Sequence, residues 1–139
     1  MSSGFYSVPL GTFAVRFAGN TVDGCNVGVG GWAPTASSLN VTAVDNVFIN
    51  TIGMWDIDLS TDPWGAATLR GDFQGNGLSR GIQFQNMGDG GGGPSEVRLV
   101  DPGQIGTNPV NAANISTANG GAPVQLFGTV TDVDSIPTP

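Results

Sequence analysis

Hydrophobic side chains recur in this chain with period two rather than 3.6, and that alternation restricts it to β-structure. Between Thr12 and Phe17, Phe13, Val15 and Phe17 fall on one side, with Thr12, Ala14 and Arg16 on the other. Leu39, Val41 and Ala43 alternate with Asn40, Thr42 and Val44. Trp55, Ile57 and Leu59 alternate with Met54, Asp56 and Asp58, and Leu69, Gly71 and Phe73 with Thr68, Arg70 and Asp72. Each segment reads as a strand with one buried face. Further strands are expected at Phe5–Leu10, Val22–Val29, Val47–Ile52, Ile82–Gln85, Glu96–Val100 and along Val124–Val133. Val47–Ile52 is apolar on both faces, which predicts a central strand. Gly128 marks a bulge or a close backbone contact in the last strand. The only helical signal, Val110–Ala118, amounts to one short turn.

The punctuation between strands predicts hairpins. Asp45, Asn46 and Gly53 separate three successive strands, Asn76-Gly77 suits a tight primed turn, and Asp101-Pro102-Gly103 closes the Glu96–Val100 strand. The expected architecture is a single-domain, all-β, antiparallel β-sandwich, jelly roll or small barrel, with an irregular β-tulip-like subunit as the alternative. No fixed-period repeat is visible, which argues against a solenoid. The β-rich body is expected over residues 5–133 of 1–139, with an N-terminal arm at 1–4 and a C-terminal arm at 134–139. Gly88–Pro94 is expected to be mobile when isolated. Gly103–Pro123 reads as a long polar connection of the kind usually ordered by function or by a partner.

Side-chain chemistry is sparse. The chain has 139 residues and no histidine, and its four cations are all arginine (Arg16, Arg70, Arg80, Arg98); it has one cysteine, Cys25, and one glutamate, Glu96. Without imidazole or lysine the familiar nucleophilic dyads and triads cannot be built, so the chain is expected not to be an enzyme. Cys25 has no internal disulfide partner and acidic rather than basic neighbours. Net charge is −7, which argues against nucleic-acid and anionic-membrane partners. The first residues lack the pattern of a signal peptide, so a soluble, cytoplasm-made chain is expected. The sequons Asn40-Val41-Thr42 and Asn114-Ile115-Ser116 are read as chance matches.

Two pairs of carboxylates, Asp56/Asp58 and Asp132/Asp134, fall on one strand face each, about 7 Å apart by strand rise. Such pairs suit calcium or glycosidase chemistry, but the favoured reading is a solvated face. No cofactor and no metal are expected. Trp55 is expected in the core. Trp32 and Trp64 sit in turn-like contexts and, with Phe5, Tyr6 and Ile136, are the expected interface residues.

Taken as a whole, the chain resembles phage head decoration (cement) and tail proteins in its general character, with a small acidic β body, arms, and arginine as the cation. No motif carries that resemblance, and no residue is transferred by it. It implies a virion structural protein assembled in a host cytoplasm, most concretely a capsid cement subunit. Such a subunit would contact copies of itself, as a trimer or ring, and a major capsid protein. A tail-tube or fibre subunit is the competitor, the tube being favoured by a long inserted hairpin. A carbohydrate-binding module or lectin using exposed tryptophan is the alternative from another class.

Overall fold

The computed structural model describes residues 3–90, 95–106 and 108–139, and in it the alternating segments become short strands that pair in parallel. Sheet I stacks β1 (Ser3–Ser7), β4 (Val27–Ala33), β7 (Ile57–Thr61), β9 (Ile82–Gln85) and β11 (Val124–Phe127). Sheet II stacks β2 (Thr12–Ala18), β5 (Ser38–Val44), β8 (Thr68–Gln74), β10 (Glu96–Leu99) and β12 (Val130–Asp132). A short sheet III pairs β3 (Thr21–Asp23) with β6 (Val47–Ile49). The chain runs from sheet I to sheet II, turns a corner and returns to sheet I one layer on. This is a parallel β-solenoid, and it overturns the antiparallel sandwich, jelly-roll or barrel expected from the sequence.

The reason lies in what alternation reports. Period two says that one face of a strand is buried; it does not say whether the next strand returns beside it or continues around a coil. Nor is the repeat visible as a constant spacing. Val15, Val41, Gly71, Leu99 and Asp132 stack in register, so successive layers differ by 26, 30, 28 and 33 residues. Corner lengths vary, and the periodicity is smeared out.

The expected hairpin turns are corners of the coil. Gly19, Asp45 and Gly75 all have positive φ, and their N–H groups donate to Val44, Gln74 and Ala118 carbonyls one layer away. The parallel ladder is thus carried around the bend. Val47–Ile52 is not a central strand: β6 lies in a two-stranded corner sheet, with Val47 and Ile49 exposed and Phe48 buried. The expected Val22–Val29 strand breaks into β3 and β4. Val124–Val133 breaks at Gly128 (φ 71°) into β11 and β12, which belong to different sheets. Helix α1 (Ala112–Ala118) replaces the short turn expected there, capped by the Asn111 side chain accepting from the Ala113 N–H.

Inside the coil, like sits on like. Val29, Ile57 and Ile82 form one fully buried column, Leu39, Leu69 and Val97 another. Gly71 interrupts a third because a Cβ there would fall 2.1 Å from the ring of Phe73. Phe73 and Phe84 meet across the interior at 5.0 Å between centroids, tilted by 51°. Each such buried ring contributes roughly 1.5–3 kcal/mol over its exposed state.

At the corner after sheet II the interior turns polar. The Asn46 Oδ1 accepts from the Asn20 N–H at 2.9 Å, the Asn76 Oδ1 from the Asn46 N–H at 3.1 Å, and the Asn119 Oδ1 from the Asn76 N–H at 3.2 Å. Each amide nitrogen of this ladder reaches the next oxygen or a strand-end carbonyl: Asn46 to Phe17, Asn76 to Ala43, Asn119 to Phe73. Asn46, Asn76 and Asn119 are buried. A side chain with both a donor and an acceptor is needed at each rung, which is why asparagine recurs there.

The ends differ. On sheet II the last strand is covered: Pro109 bridges Thr131 in antiparallel sense, and Val110 and Asp132 N–H groups donate to Val130 and Asn108. At the first layer, β1, β2 and β3 have no neighbour on their outer edges among the described residues. Of the expected N-terminal arm, Met1 and Ser2 lie outside the described residues, while Ser3 and Gly4 belong to β1. Of the expected glycine-rich mobile segment, residues 91–94 lie outside them, and Met87–Gly90 is a 3-10 turn.

Candidate binding face

Alternation in a solenoid sends every second residue of sheet I outward, and register lines those residues up. One outward row is Tyr6, Gly30, Asp58, Gln83 and Gln125; the next is Trp32, Ser60, Gln85 and Phe127. Gly30 leaves the space that the Tyr6 ring fills, since a Cβ there would lie 2.7 Å from Tyr6 Cδ2. Tyr6, Trp32 and Phe127 are exposed. Desolvation raises the Asp58 carboxyl above its ordinary value, and a hydrogen bond from Gln85 offsets part of that. The face therefore presents flat aromatic surface beside amides, a hydroxyl and one carboxylate. Successive strands along each row lie about 4.8 Å apart.

The expected interface residues divide. Tyr6 and Trp32 share this face. Trp64, 78% exposed, stands at the corner between sheets I and II, the same corner that follows Trp32 one layer earlier. Phe5 points inward, in register with Val29 and 6.4 Å from the Phe17 ring. Ile136 is half-buried in the C-terminal segment. Trp55 is half-buried just before β7 rather than enclosed.

Neither aspartate pair holds together. Asp56 is buried and accepts from the Thr51 and Ser79 hydroxyls and from the Arg80 and Gly81 N–H groups, at 2.5 and 2.8 Å for the last two. Asp58 lies on the outer face of sheet I. Asp132 ends a core column and accepts from the Asp101 N–H, whereas Asp134 is exposed and accepts from Gly106. The solvated-face reading thus fails for Asp56 and Asp132. No cluster of three or more potential metal ligands occurs among the described residues.

Asp62 and Asp101 are corner clamps that sequence reasoning missed. The Thr35 hydroxyl, then the Trp64 N–H, hold the Asp62 carboxyl below its ordinary value against desolvation, with the Thr35 N–H adding to them. Burial pushes Asp101 upward, but Asn111, Gln104, Gly103 and Asn114 donate to it and together hold it below its ordinary value. The nearest sequence signal was Asp-Pro-Gly at 101–103.

Two other surfaces are partly committed to internal bonding. Arg16, Arg70 and Arg98 all project from the outer face of sheet II, where Arg70 (3.6 Å) and Arg98 both pair with Glu96. A shallow depression of about 310 Å³ beside α1 is lined by Pro102, Gly103, Asn114, Thr117 and Ala118. Its Asn114 amide is already committed to Asp101. Sheet I offers the broader array of outward side chains.

Fold and face together define a parallel β-solenoid with a polar–aromatic flank. No protein-family model, curated protein or solved structure matches the chain.

Proposed function

We propose that the chain is a non-enzymatic structural subunit of an assembled particle, a virion being the setting implied by its likeness in general character to phage decoration and tail proteins, acting through the faces of a rigid stack. The observation that carries this is the use made of its acids. Asp56, Asp62 and Asp101 accept three or four hydrogen bonds each from the chain itself, so they serve as braces rather than as free acid–base groups. Within that class the fold favours a fibre-type subunit over a cement subunit, because a stack of solenoid layers is a quasi-one-dimensional body. A tube subunit is disfavoured, since every strand-to-strand pairing among the described residues is parallel and no long hairpin is inserted. Mass spectrometry of density-purified particles from the encoding organism tests the reading. The chain is expected in the particles; its absence, with turnover of a glycoside abolished by Asp58→Asn, would overturn it.

A second reading is favoured by sheet I: contact with a neutral glycan, whose sugar rings stack on Tyr6 and Trp32 while Gln83, Gln85 and Ser60 meet its hydroxyls. Affinity electrophoresis in neutral polysaccharide gels measures it. Retardation is expected, and Trp32→Ala should remove it without changing the Tm. No retardation in any gel contradicts the reading.

A further inference from the structure

We infer that the first layer of the solenoid is an interface for a second copy of this chain, joined end to end about a two-fold axis; this deepens the assembly reading above and rests on it. Phe13, Val15 and Phe17 point into the coil, yet Phe13 is 40% exposed and the other two are only half-buried, while their stack-mates Leu39, Val41 and Ala43 are fully buried. Among the described residues the core is open at this end. The outer edge of β2, seven residues long, also carries backbone donors and acceptors without a strand beside it among the described residues, an arrangement that templates pairing. Leu10, in the corner between β1 and β2, is 97% exposed.

Three observations select a second copy. The first layer is nearly uncharged in a chain of net −7: Arg16 and Asp23, of opposite sign, are the charged side chains of residues 3–23, so two such ends meet with little like-charge crowding. The layer at this end is built from residues 3–23, a number comparable to the roughly 20–30 residues per side of a stable interface. At the other end, the antiparallel segment at 108–110 covers the edge of sheet II, which obstructs head-to-tail stacking on that sheet and favours the closed, isologous arrangement. A two-fold axis through Val15 pairs β2 with its copy in antiparallel sense. It sets Phe13 opposite the partner subunit's Phe17, and Arg16 opposite the partner subunit's Ala14.

Sedimentation velocity with light scattering on the full chain tests this. The wild type is expected at twice 14.1 kDa at micromolar concentration, and both Leu10→Asp and Phe13→Asp at the single-chain mass with an unchanged far-UV circular dichroism spectrum. Leu10 is so exposed that its substitution leaves the monomer fold intact and decides the matter even where Phe13→Asp unfolds the chain. Trp64→Ala, distant in the stack, should remain dimeric. A wild type that stays monomeric, or a dimer that survives Leu10→Asp, overturns the interface. Absence from purified particles would instead remove the assembly reading.

Discussion

Asn76 sits at the centre of the buried amide ladder, and its side chain is bonded on both sides. Its oxygen accepts from Asn46, and its nitrogen donates to Ala43 and Asn119. Truncation strands several buried groups, each costing about 1–3 kcal/mol. Asn76→Ala is expected to lose about 3 kcal/mol or more by urea denaturation, and Asn20→Ala, at the exposed first rung, less than about 1 kcal/mol. Equal losses at the two positions would show that the ladder does not stabilise the stack. Asp101 makes a pH-dependent contribution of definite sign. Its carboxyl is held below its ordinary value in the folded state, so its stabilisation is present above the unfolded pKa of about 3.9 and fades as pH falls through the folded value. Asp101→Asn should lower stability at pH 7 and flatten the acid limb of the urea-midpoint profile. Asp58, raised by burial, acts in the opposite sense: the folded state favours its protonated form, so its stabilisation is lost as pH rises.

The elements are short, and their corners decide the path. Ala36 bends the chain between sheets I and II at φ 61°, a conformation that costs a residue with a Cβ roughly 1–2 kcal/mol. Ala36→Gly is expected to raise the melting temperature by a few degrees, the entropy of the unfolded glycine offsetting part of the gain. A lowered melting temperature would contradict the corner geometry. This is also where the sequence was legible and where it was not. Strand interiors such as Phe13-Val15-Phe17 and Leu69-Gly71-Phe73 were readable because burial of one face writes itself as period two. The corners at Asp45-Asn46 and Gly75-Asn76 read as hairpin turns because a residue suited to positive φ followed by asparagine serves either purpose; Gly19-Asn20, not among the turns expected from the sequence, has the same pattern. Their shared pattern was the one repeat the chain offered, at spacings of 26 and 30 residues. On the candidate face, Tyr6 and Trp32 were recognisable as exposed aromatics. Gln83, Gln85 and Gln125 were not, because only parallel register brings them into neighbouring rows.

At the scale of the whole molecule, everything rests on parallel stacking locked by buried asparagines. That stacking makes sheet I a continuous flank and, among the described residues, leaves the first layer without a strand beyond it. Nuclear Overhauser spectroscopy of the labelled chain tests it most directly. Slowly exchanging side-chain amides are expected at Asn46, Asn76 and Asn119, with cross-peaks to one another. Contacts are also expected to link Val41, Gly71 and Leu99 across successive strands. Close Hα–Hα cross-peaks between β7 and β8, as an antiparallel pair would give, with rapidly exchanging asparagine amides, would contradict parallel stacking.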